Sequence, residues 1–299
     1  MNKYDAREIR ALFDRGENII EWIRASEGAG NNSPTAILYS YDAQAGSYVA
    51  QLADRSTWEF ADRCGQHLAG LLDQLSPESL LEAGIGEATS LGSTLRHMSV
   101  RPAHVLGFDL SLSRLLFARK HLTDEGITGA LLFTGALDRI PIASASIDVV
   151  LTIHAIEPNH GYEDLILQEL LRVARRHLVM IEPCYENATS DARARMERLG
   201  YARGLLDALR RLGYPAPRIE GWSFNVNPLN EAALIIVDKG ESGIRHTNPS
   251  FVSPISGRDL IFRDHCWFCP DDGHAFPIIA GIPCLTVESG VLASKLGQF

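Results

Sequence analysis

The chain has 299 residues, 45% hydrophobic and 22% charged, which is ordinary for a soluble globular protein and enough for one large domain or two smaller ones. Its 28 basic and 37 acidic side chains give a net charge of −9, which opposes nonspecific nucleic-acid binding and leaves only a local basic patch open to it. No apolar run reaches the length of a membrane span, Met1 to Glu8 lacks the apolar stretch of a secretory leader, and five cysteines do not suggest a disulfide framework. The expected setting is a reducing cytoplasm, with no nucleic-acid or membrane partner; the oligomeric state is left open.

Residues 1–75 read as a helical cap. Ile9, Leu12 and Phe13, then Ile19, Ile20, Trp22 and Ile23, recur at helical spacing. A Gly/Asn/Ser/Pro loop runs from Gly28 to Pro34. The aromatic-rich segment Ala36–Tyr48 follows, then a long helical stretch from about Val49 to Leu75, which Pro77 ends. Tyr39, Tyr41 and Tyr48 either pack together or form a lid whose ring faces attract a cation.

From 80 to 183, apolar runs alternate with helix patterns. The runs are 80–83, 104–108, 130–133, 147–153 and 177–182. The helical faces are Ala88, Leu91, Leu95 and Met98; Leu112, Leu115, Leu116 and Leu122; and Leu165, Leu167, Leu170, Leu171 and Ala174. Ser111 and Ser113 suit a helix start. This alternation predicts a parallel α/β sheet covered on both faces, with ligands outside the carboxyl ends of its strands. Residues 188–212 read as a helical, Arg-rich, solvated stretch carrying Arg193, Arg195, Arg198, Arg203, Arg210 and Arg211. Strands at about 219–226 and 232–238, joined through Asn227–Glu231, would close the sheet as a hairpin. Gly240–Pro249 reads as a linker. The expected units are therefore 1–75, 76–240 and 250–299.

The chemistry concentrates at Leu80-Leu-Glu-Ala-Gly-Ile-Gly86 and at Asp109, 23 residues beyond Gly86. Glycines after a strand let the backbone approach a ligand, and an acid after the next strand can accept from two ribose hydroxyls. A dinucleotide fingerprint wants a third glycine, but Thr89 stands there. Glu87 also places an acid where a pyrophosphate would meet the helix start. Glu82 and Glu87 suit a cationic nucleoside such as S-adenosylmethionine (SAM) better.

The block 80–183 resembles class I SAM-dependent methyltransferases. Leu81-Glu-Ala-Gly-Ile-Gly-Glu87 looks like their first motif and Gly107-Phe-Asp-Leu110 their second. Phe133–Pro141, Ser146–Glu157 and Leu170–Pro183 are similar to the later ones. The resemblance implies a Rossmann-like seven-stranded methyltransferase sheet, with a helical N-terminal cap and a small β-rich C-terminal appendage. It implies that Glu82, Gly84 and Gly86 line the methionine part of SAM, that Asp109 takes the ribose hydroxyls, and that Leu110 lies against the adenine. At 136 many members carry an acid; this chain has Ala136, so adenine recognition falls to the backbone of Ala136 and Leu137, or to Asp138. The flanks Tyr39–Tyr48, His154–Asn159 and Asn227–Asn230 resemble methyltransferases of bacterial surface-polysaccharide or specialised-metabolite pathways. The tail is similar to the small zinc-binding activator module of tRNA and protein methyltransferases. At its four thiolate positions stand Ser253, Ser256, Cys269 and Asp272, so the shape is expected without the metal.

Methyl transfer from a sulfonium needs the nucleophile held in line, and a base only where the nucleophile keeps its proton. His154, just past the fourth run, is the candidate base; it could instead pack against the cofactor. Glu157 and His160 follow on the same loop as further catalytic candidates, and Glu157 could equally be a helix-start acid. Glu182 and Tyr185 end the fifth strand, where they contact substrate or merely meet solvent. Cys266-x-x-Cys269, with His265 and His274 nearby, is half of a zinc site, and Cys64, Cys184 and Cys284 read as buried small residues. The expected activity is methylation of a hydroxyl or amine on a small molecule such as a sugar or a specialised metabolite. The competing readings are a tRNA or protein methyltransferase with its activator fused on, and a SAM-binding subunit without catalysis. Against the first stand the net charge and the His154-Ala-Ile-Glu157 sequence, where a planar-nitrogen enzyme would carry an Asn-Pro-Pro-Tyr-type motif.

Overall fold

The structure, a computed structural model, describes residues 4–240 and 249–298. Residues 241–248, most of the expected linker, lie outside the described residues. Helices α1 (Ala6–Asp14), α2 (Ile19–Glu27) and α3 (Pro34–Ala43) each begin at a side chain that accepts a first-turn N–H: Asp5, Asn18 and Ser33. They bury Ile9, Leu12, Ile19, Ile23 and Ala36 in a small core of their own. The rings of Trp22 and Tyr39 meet Tyr4 edge-on around it.

The long helix expected from Val49 is interrupted. A short α4 (Ser47–Gln51) precedes α5 (Arg55–Leu75), which Asp54 caps. Helix α5 is not part of the cap, because Leu68, Ala69, Leu71 and Leu72 pack into the core on one face of the main sheet.

That sheet contains β1 (Ser79–Ala83), β2 (His104–Asp109), β3 (Leu131–Thr134), β4 (Ile147–Ile153), β5 (Ala174–Pro183), β6 (Arg218–Gly221) and β7 (Ala232–Asp238). Its order is β3-β2-β1-β4-β5-β7-β6. The first five strands are parallel, and β7 runs antiparallel to both neighbours. Helices α6 (Thr89–His97), α7 (Leu112–Asp124) and α8 (Glu163–Val173) make the crossovers. The chain first winds outward from β1 to β3 and then returns to β4, so the order reverses between β1 and β4; a crevice opens at such a reversal.

Each expected apolar run is a strand, although Ala174, assigned above to a helical face, begins β5. Strand β6 stops at Gly221 rather than 226. Beyond it the Asn225 side chain donates to Trp222 O and accepts from Ala232 N–H, closing a connector instead of a ladder. The Arg-rich stretch is two helices, α9 (Ser190–Leu199) and α10 (Leu205–Arg211), separated at Gly200 and Gly204, both at positive φ.

The C-terminal segment forms a small antiparallel sheet of β8 (Ile261–Arg263), β9 (Cys266–Phe268), β10 (His274–Ile279), β11 (Ile282–Pro283) and β12 (Val291–Leu292). Its core is continuous with the main one: Phe251, Leu260, Phe276 and Leu285 share a buried cluster with Phe108 and Phe133. At the end of β3, Leu285 N–H donates to both the carbonyl and the hydroxyl of Thr134.

Within the appendage Ser253, Ser256, Cys269 and Asp272 meet. The Ser253 and Ser256 hydroxyls both donate to Asp272 Oδ2, and His274 N–H donates to Oδ1 at 3.0 Å. Ser256 Oγ lies 3.9 Å from Cys269 Sγ. Cys266 is turned elsewhere, onto the Arg263 carbonyl. Cys184 and Cys284 are buried and Cys64 is partly exposed. Burial pushes the Asp272 carboxyl up, but the hydroxyl and N–H donors outweigh it and hold it at about 2. A folded-state pKa below the unfolded value means that this carboxylate stabilises the fold above about pH 4 and that the contribution is lost as pH falls toward about 2. Urea unfolding across that window should show wild type losing more stability than Asp272→Asn; parallel losses would remove the carboxylate's role.

Candidate active site

A cavity of about 260 Å³ lies at the carboxyl ends of β1, β2 and β4. Helices α3 and α4 roof it, with Pro34, Ile37, Tyr41 and Tyr48 forming the inner surface. From the sheet come Glu82, Gly84, Gly86, Asp109, Leu110, Ala136 and Leu137, with His154 and Glu157 from the loop after β4. Asp138, the alternative adenine partner, also lines the wall. The structure therefore gathers the expected residues, except His160 and Tyr39, which are not among those lining the cavity. Tyr39 packs on Tyr4 instead.

Two glycines permit the close approach. At Gly84, φ is +73°, and a Cβ would lie 2.5 Å from the Cβ of Ala155. The turn after β1 thus touches the turn after β4, and only a residue without a side chain fits. At Gly86, φ is +57°, and a Cβ would strike the Arg114 guanidinium. Gly86 N–H donates to Asp109 Oδ2 at 3.0 Å and Ser111 N–H to Oδ1 at 2.9 Å. Burial pushes the Asp109 carboxyl up, against the opposing pull of Arg114 and these N–H groups.

Glu82 is 2% exposed, and its Oε2 has no hydrogen-bond partner. Burial raises this carboxyl to about 8. A buried acid with an open oxygen is costly to ionise alone and is stabilised by a cation. That is the chemistry the ammonium of SAM would offer, so the residues present fit this cofactor.

Glu87 has a more definite role than adding negative charge. Its carboxylate accepts from Gly46 N–H at 2.9 Å and Val49 N–H at 2.8 Å, fastening the roof to the sheet. Ser111 adds a bond to Asp42 at 2.7 Å. Arg114 was hidden in a helical face of the sequence. Its guanidinium lies 3.8 Å from Asp109 and over the rings of Tyr41 and Tyr48, at 5.1 and 4.9 Å from their centroids. Two of the three tyrosines read as a lid thus do lie over the cavity, but in this structure their faces are turned to a protein cation.

His154 sits at φ +52°, in the left-handed region that non-glycine residues rarely adopt. The turn is held from below by Glu182, whose Oε1 accepts from Ala155 and Ile156 N–H at 2.9 and 3.1 Å. Glu182 is fully buried, and burial, with the nearby charge of Glu157, raises it to about 7 although His154 pulls it down. It supports the loop and does not line the cavity. His154 Nδ1 lies 2.8 Å from Glu157 Oε2. Burial would lower the imidazole's pKa, but the bond and charge of Glu157 outweigh it, so His154 titrates above its ordinary value.

His160 is occupied otherwise. Its Nδ1 bonds Glu163 at 2.8 Å and its Nε2 meets Arg203. Tyr185 is spent on Glu197 and stacks beneath Arg193.

Residues 81–180 match the family model described as a methyltransferase domain. The match covers about a third of the chain. Among solved structures, the chain is similar to a candidate O-methyltransferase of Nostoc punctiforme, at 13% identity and TM-score 0.50, over 64% of this chain and 60% of that one. The alignment therefore spans less than two thirds of the Nostoc chain; at this identity it supports the methyltransferase fold. Magnesium protoporphyrin IX methyltransferase of Synechocystis, solved with S-adenosylhomocysteine, aligns at 12% identity and TM-score 0.48 over 79% of this chain and all of that one. The geranyl diphosphate C-methyltransferase of Streptomyces coelicolor aligns at 14% and TM-score 0.43, over 54% and 70%. Among curated proteins, none matches.

Replacing Glu87 by Ala leaves the Gly46 and Val49 amides without their acceptor, at a cost of roughly 1–3 kcal/mol. Hydrogen exchange across residues 44–52 should then quicken on the order of tenfold, while β4 stays protected. Unchanged exchange would show that the carboxylate does not fasten the roof.

Proposed function

We propose that the chain transfers a methyl group from SAM to a hydroxyl or amine of a small molecule. The observation that carries this reading is the His154–Glu157 pair, which lines the same cavity as the open carboxyl of Glu82 and the paired carboxylate of Asp109. SAM, when bound, supplies an electrophilic methyl group on a sulfonium. Glu82 would pair with its ammonium, Asp109 would accept from its ribose hydroxyls, and Leu110, Ala136 and Leu137 would flank its adenine. Among the described residues no helix is long and apolar enough to cross a membrane.

His154 acts on the acceptor. With Nδ1 bonded to Glu157, the neutral imidazole keeps its lone pair on Nε2 and takes the acceptor's proton as oxygen or nitrogen bonds to the methyl carbon. Glu157 stabilises the imidazolium that results. A roof formed by Pro34, Ile37, Tyr41 and Tyr48 favours an acceptor small enough to enter beneath it over a tRNA or protein.

Calorimetric titration with SAM tests the donor site. Wild type should bind and Asp109→Ala should not. Because Glu82 is raised to about 8, it is mostly protonated at pH 7, and pairing with a cation expels that proton. Binding should therefore release protons at pH 7 and tighten with pH until about pH 8. No binding by wild type would overturn the reading, and binding without proton release would remove Glu82 from it.

The base makes its own prediction. An imidazole raised above 6.5 is neutral, and so competent, only toward higher pH; its basic form is lost as pH falls through the raised value. Imidazole NMR should place the His154 titration above 6.5 and move it down in Glu157→Gln. A titration at or below 6.5 in wild type would refute the pairing.

A further inference from the structure

We infer that Asn230, held by Arg195, is a positioning residue that fixes the tautomer of His154 through Glu157. The inference rests on the reading of His154 as base. Glu157 Oε2 takes two bonds, one from His154 Nδ1 at 2.8 Å and one from Asn230 Nδ2 at 3.1 Å. The Glu157 side chain is only 10% exposed, so water cannot replace a missing donor freely.

An asparagine amide can present either end, and its oxygen turned toward a carboxylate would repel it. Arg195 removes that choice. Its Nη1 donates to Asn230 Oδ1 at 2.8 Å, which commits the oxygen and leaves Nδ2 facing Glu157. The guanidinium lies over the Tyr201 ring, 5.3 Å from its centroid. Burial, the neighbouring charge of Glu157 and a hydrogen bond to it push the Tyr201 phenol up to about 12, so this ring stays neutral beside the carboxylate.

The chain Arg195–Asn230–Glu157–His154 thus spans α9, the β6–β7 connector and the loop after β4. Neither Arg195 nor Asn230 lines the cavity, so both act through Glu157. The consequence is specific. A carboxylate held by two donors keeps one orientation, the imidazole keeps its proton on Nδ1, and Nε2 is left bare. Without the Asn230 amide the carboxylate can turn, and the imidazole then samples both tautomers.

The test uses the full chain with ¹⁵N-labelled histidine, at a pH above the imidazole titration, with His154→Gln to assign the signal. Wild type should show a single Nδ1–H tautomer with a slowly exchanging proton. In Asn230→Leu the spectrum should become a mixture of tautomers and the protected proton should vanish, while the melting temperature stays near native. Arg195→Met, which leaves the connector intact, should move the spectrum the same way and carries the test if Asn230→Leu does not fold. A single Nδ1–H tautomer retained in the folded variants would overturn the positioning role and leave the base reading standing. An Nε2–H tautomer in wild type would instead overturn the base reading itself.

Discussion

Three carboxyl groups buried at the carboxyl edge of one sheet govern the rest of this structure. Each ends a strand: Glu82 in β1, Asp109 in β2 and Glu182 in β5. Burying such a group is costly unless donors meet it. Asp109 finds the N–H groups of Gly86 and Ser111, and so ties the first turn to the second helix. Glu182 finds those of Ala155 and Ile156, and so holds the strained turn carrying His154. Glu82 and Glu182 each keep an Oε2 without a partner, but only Glu82 lines the cavity, where a cationic ligand would meet it. The same cost that stabilises two turns leaves the third site incomplete.

Anchoring of the flanks follows the same logic of a buried polar side chain meeting backbone groups. Glu87 caps the roof at Gly46 and Val49. Asn32, 2% exposed, donates to the carbonyls of Pro158, Leu199 and Gly200, so one amide joins the cap to the loop after β4 and to the end of α9. In the appendage Asp272 gathers the hydroxyls of Ser253 and Ser256. A carboxylate accepting several bonds holds chain segments together much as a cation with several ligands does, but with the opposite sign of charge at the centre. That sign is why serines, which can donate, suit the other corners.

Much of this was legible in the sequence because strands buried on both faces read as unbroken apolar runs, and 80–83, 104–108 and 147–153 are of that kind. The acids and glycines at their ends followed directly. Less legible was anything that depended on distant pairing. Arg114 falls on the same helix as the apolar face of α7 and gives no periodic sign that it is buried. Asn230 lies 73 residues from Glu157, and Arg195 is one arginine among six on a stretch that reads as solvated. Loop geometry was equally silent. Glu157 and His160 are three residues apart, yet one faces the cavity and the other bonds Glu163 and Arg203. The break before α5 came from a cap, Asp54, whose effect competes locally with a helix pattern that continues through it.

The placement of these groups divides the work along the chain. Glu82, Asp109, Leu137 and His154, which line the cavity, all fall within 81–180, the segment matched by the methyltransferase model. The roof over them comes from before that segment, and the residues behind Glu157 come from after it. On the proposed function, donor chemistry is the same for every acceptor, whereas the shape above the methyl group and the orientation of the base must suit one. A fold that keeps the first on the sheet and the second on its flanks can change acceptors by altering Pro34–Tyr48 or the β6–β7 connector without disturbing the buried carboxyls. Asp109 and Glu182 hold turns, so a change to them would cost the fold as well as the site. On that reading selectivity rests with the roof and the β6–β7 connector, and the helical flank is held to the sheet side by a few buried polar contacts, Glu87 and Asn32 among them.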